Sequence, residues 1–246
     1  MITRFISDLH LSVCRPDMTA LFVTFLRTEA RESDALYILG DLFDYWIGDD
    51  DQTPFHRHII YELRQLTDAG VPCFFIAGNR DFLIGERFAT ETGVTILEQP
   101  FVADIYGTPT LLLHGDCLCT DDVAYQRFRK VVRNPLLLAI AKRLPLKWRR
   151  SLAQKLRSSS KSNQPLTPEQ LKAMDTTEPA VQQAFAKYKL ERIIHGHTHQ
   201  PNIHEHELAN GQVGTRIVLG DWYEQGSILE VTADTFILRS EPLSSN

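Results

Sequence analysis

The chain has 246 residues, 43% of them hydrophobic and 23% charged, and a formal net charge of −5. That is enough for a full core in one α/β domain, and it excludes a disordered or fibrous chain. No stretch approaches the roughly 20 apolar residues that cross a bilayer, and no basic region followed by a long apolar run opens the chain, so neither a spanning segment nor a secretory leader is expected. Four cysteines, Cys14, Cys73, Cys117 and Cys119, lie in or beside apolar stretches and read as reduced, inert thiols of a cytosolic protein.

In chain order, residues 2–7 form a short, partly β-branched apolar run that leads into Ser7-Asp8-Leu9-His10. Met18, Leu21, Phe22, Phe25 and Leu26 then recur at helical spacing within 17–31. The run 35–39 leads into Gly40-Asp41-Leu42-Phe43-Asp44, and a helix over 54–69 stops at Gly70. Three further runs, 73–77, 110–113 and 191–194, lead into Gly78-Asn79-Arg80-Asp81, His114-Gly115-Asp116 and His195-Gly196-His197-Thr198-His199. Each motif therefore sits at the carboxyl end of a strand. The alternation of strand and helix predicts a mainly parallel sheet with its ligand crevice at those ends. Beyond His199, four alternating runs separated by Asn210-Gly211, Gly220-Asp221 and Ala233-Asp234 predict a β-meander that completes a second sheet.

One segment breaks the rhythm. Residues 123–168 hold twelve Lys or Arg and no Asp or Glu, leaving 14 basic residues against 31 acidic ones elsewhere. Such asymmetry implies an anionic partner. Leu136, Leu137, Leu144, Leu152 and Trp148 are interleaved with the charges, as in interfacial amphipathic helices, whereas aromatics for base stacking are nearly absent. An anionic membrane surface or a phospholipid-like substrate is favoured over nucleic acid, with a solvated helical hairpin as the plain alternative.

Taken singly, each motif has an ordinary explanation. Asp8 with His10 is an everyday ion pair, Gly40-Asp41 a helix cap, and Gly78-Asn79 a turn. Five in order, each after a strand, are not ordinary. Their carboxylate, amide and imidazole groups suit Mn²⁺, Mg²⁺, Fe or Zn²⁺ rather than a thiolate zinc site, and a pair of ions serves in-line attack on phosphorus. A dinuclear phosphoesterase is expected.

The ordered set resembles the calcineurin-like metallophosphoesterases, whose pattern is D-x-H, G-D-x-x-D, G-N-H-D/E, a later His and G-H-x-H. The resemblance spans Asp8 to His199. It implies an α/β fold, the two-sheet αββα sandwich, as a single domain over 1–246 with a helical insertion at 123–190 forming a basic, apolar lid. Arg80 in place of the usual His, the run 114–122 followed by Tyr125 and Phe128, and the insertion are similar to one subfamily, the pyrophosphohydrolases that act on UDP-2,3-diacylglucosamine in lipid A synthesis of Gram-negative bacteria.

That resemblance implies hydrolysis of the substrate's diphosphate, with metal-activated water attacking the α-phosphorus to give UMP and 2,3-diacylglucosamine 1-phosphate. It places the enzyme peripherally on the cytoplasmic face of the inner membrane, with two Mn²⁺ ions, a lipid substrate, an anionic membrane surface and no obligate protein partner. By motif, Asp8, His10 and His197 hold one ion, Asn79, His114 and His195 the other, and Asp41 bridges. Asp41, Arg80 and His195 carry catalysis. Asn79, Arg80, Asp122, Tyr125, Ser160, Asn163, Gln164 and His195 contact substrate, while the Lys that usually follows the Ser has no counterpart before Lys172. Asp44, Asp116 and His199 are expected to orient ligand imidazoles or waters. Arg80 itself speaks for a diphosphate: a departing phosphate needs a fixed positive charge more than a proton donor, and guanidinium supplies it without titrating. A soluble phosphoesterase acting on nucleotides or other phosphodiesters would share every ligand and differ in lacking the lid.

Overall fold

The computed structural model describes residues 1–160, 167 and 172–242. Strands β1 (Thr3–Ile6), β2 (Ala35–Ile38), β3 (Cys73–Ile76) and β4 (Thr95–Leu97) run parallel, as their helical crossovers require. β10 (Gln225–Val231) and β11 (Phe236–Pro242) add antiparallel strands, giving the order β11-β10-β1-β2-β3-β4. The second sheet has the order β5-β6-β7-β9-β8, from β5 (Phe101–Ile105), β6 (Thr108–Leu112), β7 (Arg192–His195), β8 (Asn202–Glu207) and β9 (Val213–Val218).

Strand alternation decides the layers. One set of faces meets between the sheets, with Phe5, Tyr37, Leu39 and Ile76 packed against Leu112, Ile194, Ile217 and Leu219. The opposite face of the first sheet, Ile6, Ile38 and Phe75, is covered by α1 (Pro16–Arg27), α2 (Pro54–Asp68) and α3 (Glu86–Thr92) through Phe22, Leu26, Ile59, Leu63 and Phe88. Leu111, Leu113 and Ile193 on the outside of the second sheet receive Val181 and Phe185 of α7 (Glu178–Tyr188). The result is an αββα sandwich. α2 starts where Thr53 accepts from the His56 N–H with Pro54 following, and it yields to Gly70 at φ 91°.

The meander differs from expectation. β8 and β9 stay in the second sheet, whereas β10 crosses to pair with β1 in the first. The crossing is fixed by Trp222, which is buried edge-on against Phe22 and Phe25 and donates to the Ser227 carbonyl. Both sheets are consequently mixed. The expected helix to residue 31 stops at Arg27 and continues as a 3-10 turn, Glu29–Glu32.

The basic segment forms α4 (Val123–Val132), α5 (Pro135–Arg143) and α6 (Leu146–Ser160). No side chain of α4 or α5 is buried, and Leu136 and Trp148 are 70% and 67% exposed. These helices are nevertheless tied to the body. Arg129 pairs with Asp116, Arg133 donates to the Ala77 and Gly78 carbonyls, and the buried Arg149 holds Asp50 and the Ile47 carbonyl. Among the described residues, no helix is long and apolar enough to cross a membrane.

Candidate metal centre

The five motifs converge at the carboxyl ends of β1, β2, β3, β6 and β7, and the backbone there is contorted. Asp8, His10, Asp41, His197 and His199 have φ of 55°, 47°, 53°, 71° and 55°, the left-handed region that costs non-glycine residues energy. Two glycines let the loops interlock: a Cβ on Gly78 would lie 2.1 Å from Asp41 Oδ1, and one on Gly196 would lie 2.2 Å from Asp8 Oδ2. Asp81 binds the two central loops together, accepting from the Gly78 N–H at 2.8 Å and the Leu42 N–H at 2.7 Å.

Two overlapping groups of side chains result, each with its potential ligand atoms within 4.8 Å of one another: Asp8, His10 and His199, and Asp8, Asp41 and His114. Asn79 Oδ1 joins them, 2.9 Å from His114 Nε2 and 3.1 Å from His197 Nδ1, and Asp41 Oδ2 is 3.9 Å from His10 Nδ1 and 3.8 Å from His114 Nε2. Six of the seven expected ligands are thus together. Asp8 is common to both groups, Asp41 Oδ2 lies between His10 and His114, one from each expected ligand set, and His199 sits beside Asp8 and Asp221.

His195 is placed differently. It is buried, its Nδ1–H donates to the Gly196 carbonyl at 2.8 Å, and its Nε2 accepts from Arg216 Nη1 at 3.1 Å, so both nitrogens are engaged within the protein.

The electrostatics suit a cation. Asp8 Oδ1 is buried, makes no close hydrogen bond, and has His199 Nε2 at 3.4 Å. Burial raises the Asp41 carboxyl to about 6, helped by the negative charge of Asp8, while nearby histidines hold Asp8 below the usual carboxylate range despite its burial. Burial lowers His10 and His197 to about 4, leaving neutral imidazoles with lone pairs to offer. His114 is the exception. Against the effect of burial, Asp41 and Asp8 raise it; its Nδ1–H donates to the Leu39 carbonyl at 2.9 Å, and Nε2, 2.9 Å from Asn79 Oδ1, is the nitrogen that faces the cluster. Buried carboxylate, amide and imidazole donors brought within 4.8 Å of one another around Asp8 fit divalent ions.

Arg80 lies beside the cluster. Its N–H donates to Asp41 Oδ1 at 2.8 Å, and its guanidinium makes no hydrogen bond or ion pair with a described residue. Asp122 caps α4 by accepting from the Tyr125 N–H at 2.9 Å, and the Tyr125 hydroxyl donates to Asp116 Oδ2 at 3.0 Å, its ring 5.8 Å from that of His197. Asp116 therefore holds the lid helix α4 rather than a ligand imidazole. The backbone of Ser160 ends α6, but its side chain, Asn163 and Gln164 lie outside the described residues. Three residues had no assigned role in the sequence: the loop clamp Asp81, Asp221 at 3.3 Å from His199 Nδ1, and Arg216. The first two at least sit where a signal exists, Asp81 closing the Gly78-Asn79-Arg80 motif and Asp221 following Gly220 at a strand end.

A sandwich of two mixed sheets with a carboxylate, amide and imidazole cluster at its strand ends is the architecture of a metal-dependent phosphoesterase. The profile of the calcineurin-like phosphoesterases matches residues 2–201, and the chain belongs to that family. Within it, the chain is 50% identical over 245 residues to a UDP-2,3-diacylglucosamine hydrolase of Vibrio parahaemolyticus, covering 100% of both chains. Proteins of the same name from Serratia proteamaculans, 49% identical, and Salmonella arizonae, 50% identical, are covered in full by 98% and 99% of this chain.

Proposed function

We propose that the chain hydrolyses the diphosphate of UDP-2,3-diacylglucosamine to UMP and 2,3-diacylglucosamine 1-phosphate. The observation that carries this is Arg80, whose backbone is anchored to Asp41 and whose guanidinium, beside the ligand cluster, makes no hydrogen bond or ion pair with a described residue. Full-length likeness to hydrolases named for that substrate supports it. A leaving sugar phosphate, unlike a strongly basic alkoxide, departs as a weakly basic anion that needs no proton, and Arg80 stabilises the charge spreading onto its oxygens.

Two Mn²⁺ ions would be held by Asp8, His10, Asp41, Asn79, His114, His195 and His197. Such ions supply Lewis acidity toward phosphoryl oxygens and lower the pKa of water. Asp81 keeps the Asp41 and Asn79 loops in register, and His199, protonated between Asp8 and Asp221, steadies the Asp8 carboxylate. Asn79, Arg80 and His195 would meet the diphosphate, and Asp122, Tyr125, Ser160, Asn163 and Gln164 the glucosamine end.

We place the enzyme peripherally on the cytoplasmic face of the inner membrane, with residues 123–190 as a lid. Exposed Leu136, Leu152 and Trp148 beside exposed Lys142, Arg143 and Lys147 support contact with an anionic, acyl-rich surface. Incubating the purified protein with UDP-2,3-diacylglucosamine and Mn²⁺ and following UMP tests the reading. Absence of UMP release alongside turnover of a soluble phosphodiester would favour a nucleotide-directed phosphoesterase instead.

A further inference from the structure

The basic helices and Arg80 are fastened to the same short stretches of chain. Because the Arg80 guanidinium has no hydrogen bond or ion pair with a described residue, its direction depends on how firmly its main chain is held. That main chain is anchored on both sides. The Arg80 N–H donates to Asp41 Oδ1 at 2.8 Å, and the Arg80 carbonyl accepts from the Trp46 N–H at 2.9 Å. Trp46 is itself fixed, its ring buried against Phe43, His56 and Phe88 and its indole N–H donating to Asp49 at 3.0 Å.

The residues that follow Trp46 are the seat of α6. The buried Arg149 donates to the Ile47 carbonyl and to Asp50 Oδ1, the latter at 2.8 Å, and Arg150 pairs with Asp51. The seat is shaped for Arg149: Gly48 has φ 135°, and a Cβ there would lie 2.1 Å from Arg149 Nη1. From the other side, Arg133 of α4 donates to the Ala77 and Gly78 carbonyls at 3.0 and 2.9 Å, immediately ahead of Asn79 and Arg80. A buried guanidinium deprived of such acceptors is costly, so these contacts are held. Only Trp46 and Ile47 separate the N–H that holds Arg80 from the carbonyl that holds Arg149, and peptide planes are rigid, so displacing one end disturbs the other.

We propose that Arg149 and Arg133 are positioning residues that aim Arg80: by seating α6 on 47–50 and α4 on 77–78, they hold its guanidinium on the leaving phosphate. This rests on the reading of Arg80 given above. Neither arginine is asked to touch the substrate.

The test is a double-mutant cycle, with Arg149→Gln and Arg133→Gln each made in the parent and in Arg80→Ala. With Mn²⁺ bound and UDP-2,3-diacylglucosamine as substrate, each change should lower kcat about tenfold in the parent. In Arg80→Ala, where no guanidinium remains to be aimed, each should cost less than about threefold. Equal factors in the two backgrounds would mean that the arginines merely support the helices, and would overturn the proposal. A second readout needs no turnover. In Mg²⁺-loaded protein, hydrogen exchange of the Trp46 and Arg80 amides should quicken about tenfold in Arg149→Gln, while the amides of β1 stay as in the parent. Exchange at both amides within about twofold of the parent would likewise overturn it. Should Arg149→Gln fail to fold, Arg133→Gln carries the kinetic cycle alone, with the Arg80 amide as its exchange probe. A parent that does not hydrolyse UDP-2,3-diacylglucosamine, with exchange quickened in the variants, would overturn the substrate assignment alone. Normal hydrolysis with equal kcat factors in both backgrounds would overturn the positioning role alone.

Discussion

Asp116 and Arg129 are joined at 2.8 Å, and this pair fastens the loop after β6 to the first helix of the lid. Asp116 is buried, accepts the Tyr125 hydroxyl on the same oxygen, and has Arg133 at 3.7 Å. Burial alone would raise its carboxyl, but His114, Arg129 and Arg133 outweigh it and hold the group at about 2. A depressed folded value means stability that is present above the unfolded pKa and lost as pH falls through the folded one. Replacing Asp116 with Asn should therefore cost about 2 kcal/mol at pH 7, and the difference from the parent should vanish between about pH 4 and pH 2. Chemical denaturation of both proteins across that range checks it; a gap independent of pH would mean the carboxylate's charge is not what holds α4.

The ligand cluster predicts dependence on divalent ions. Chelation should abolish UMP release and added Mn²⁺ should restore it, while Asp8→Ala and Asp41→Ala should each lower kcat by several orders of magnitude. Metal content by elemental analysis separates loss of the ion from loss of the fold, and substantial turnover by metal-free protein would contradict the assignment.

Arg80→Ala should reduce kcat by about 10²-fold, as loss of one preorganised electrostatic donor does, with Lys rescuing only in part. Steady-state kinetics of both variants decide this. A KM effect with unchanged kcat would make Arg80 a binding residue only.

Gly78→Ala places a Cβ 2.1 Å from Asp41 Oδ1 and 2.4 Å from its backbone nitrogen, so the Asp41 loop has to move. Metal affinity should fall along with melting temperature. Gly107→Ala, where no atom lies within 4 Å of the added carbon, is the control; its φ of 82° confines it to a backbone cost alone.

Not every lid cation is available to a membrane. Arg149, 5% exposed at its side chain, is spent on Asp50, whereas Lys142, Arg143 and Lys147 face solvent. Changing those three to Gln should release the protein from anionic vesicles in sedimentation, whereas Arg149→Gln should instead loosen α6, read as faster proteolysis of the lid. Retention of the triple variant on vesicles would make the helices a cover with a basic exterior and no more.

The strands and their motifs were legible because each apolar run is short and most are punctuated by a glycine at or just after the strand end, as in 35–39 before Gly40 and 73–77 before Gly78. β4 was not, since three residues carry no period, and the crossing of β10 to the first sheet depends on where Trp222 finds its pocket, a tertiary fact absent from alternation. In the site, residue type disclosed the candidate ligands one by one. It did not disclose how they are shared: that Asp8 belongs to both groups, that Asp116 serves the lid, or that Arg216, an unremarkable arginine in an alternating strand, lies against His195.

The left-handed backbone at Asp8, His10, Asp41, His197 and His199 has a consequence for how the chain tolerates change. At each of these positions glycine would relax the main chain while deleting a candidate ligand. In metal-free protein the two effects act in the same direction where carboxylates crowd one another, so random selection for heat resistance alone would drift toward glycine at Asp8 and Asp41 and produce durable but inert descendants. Only simultaneous selection for turnover keeps the loops in their contorted form, and the five positions thus mark where heat resistance and catalysis are set against each other in this chain.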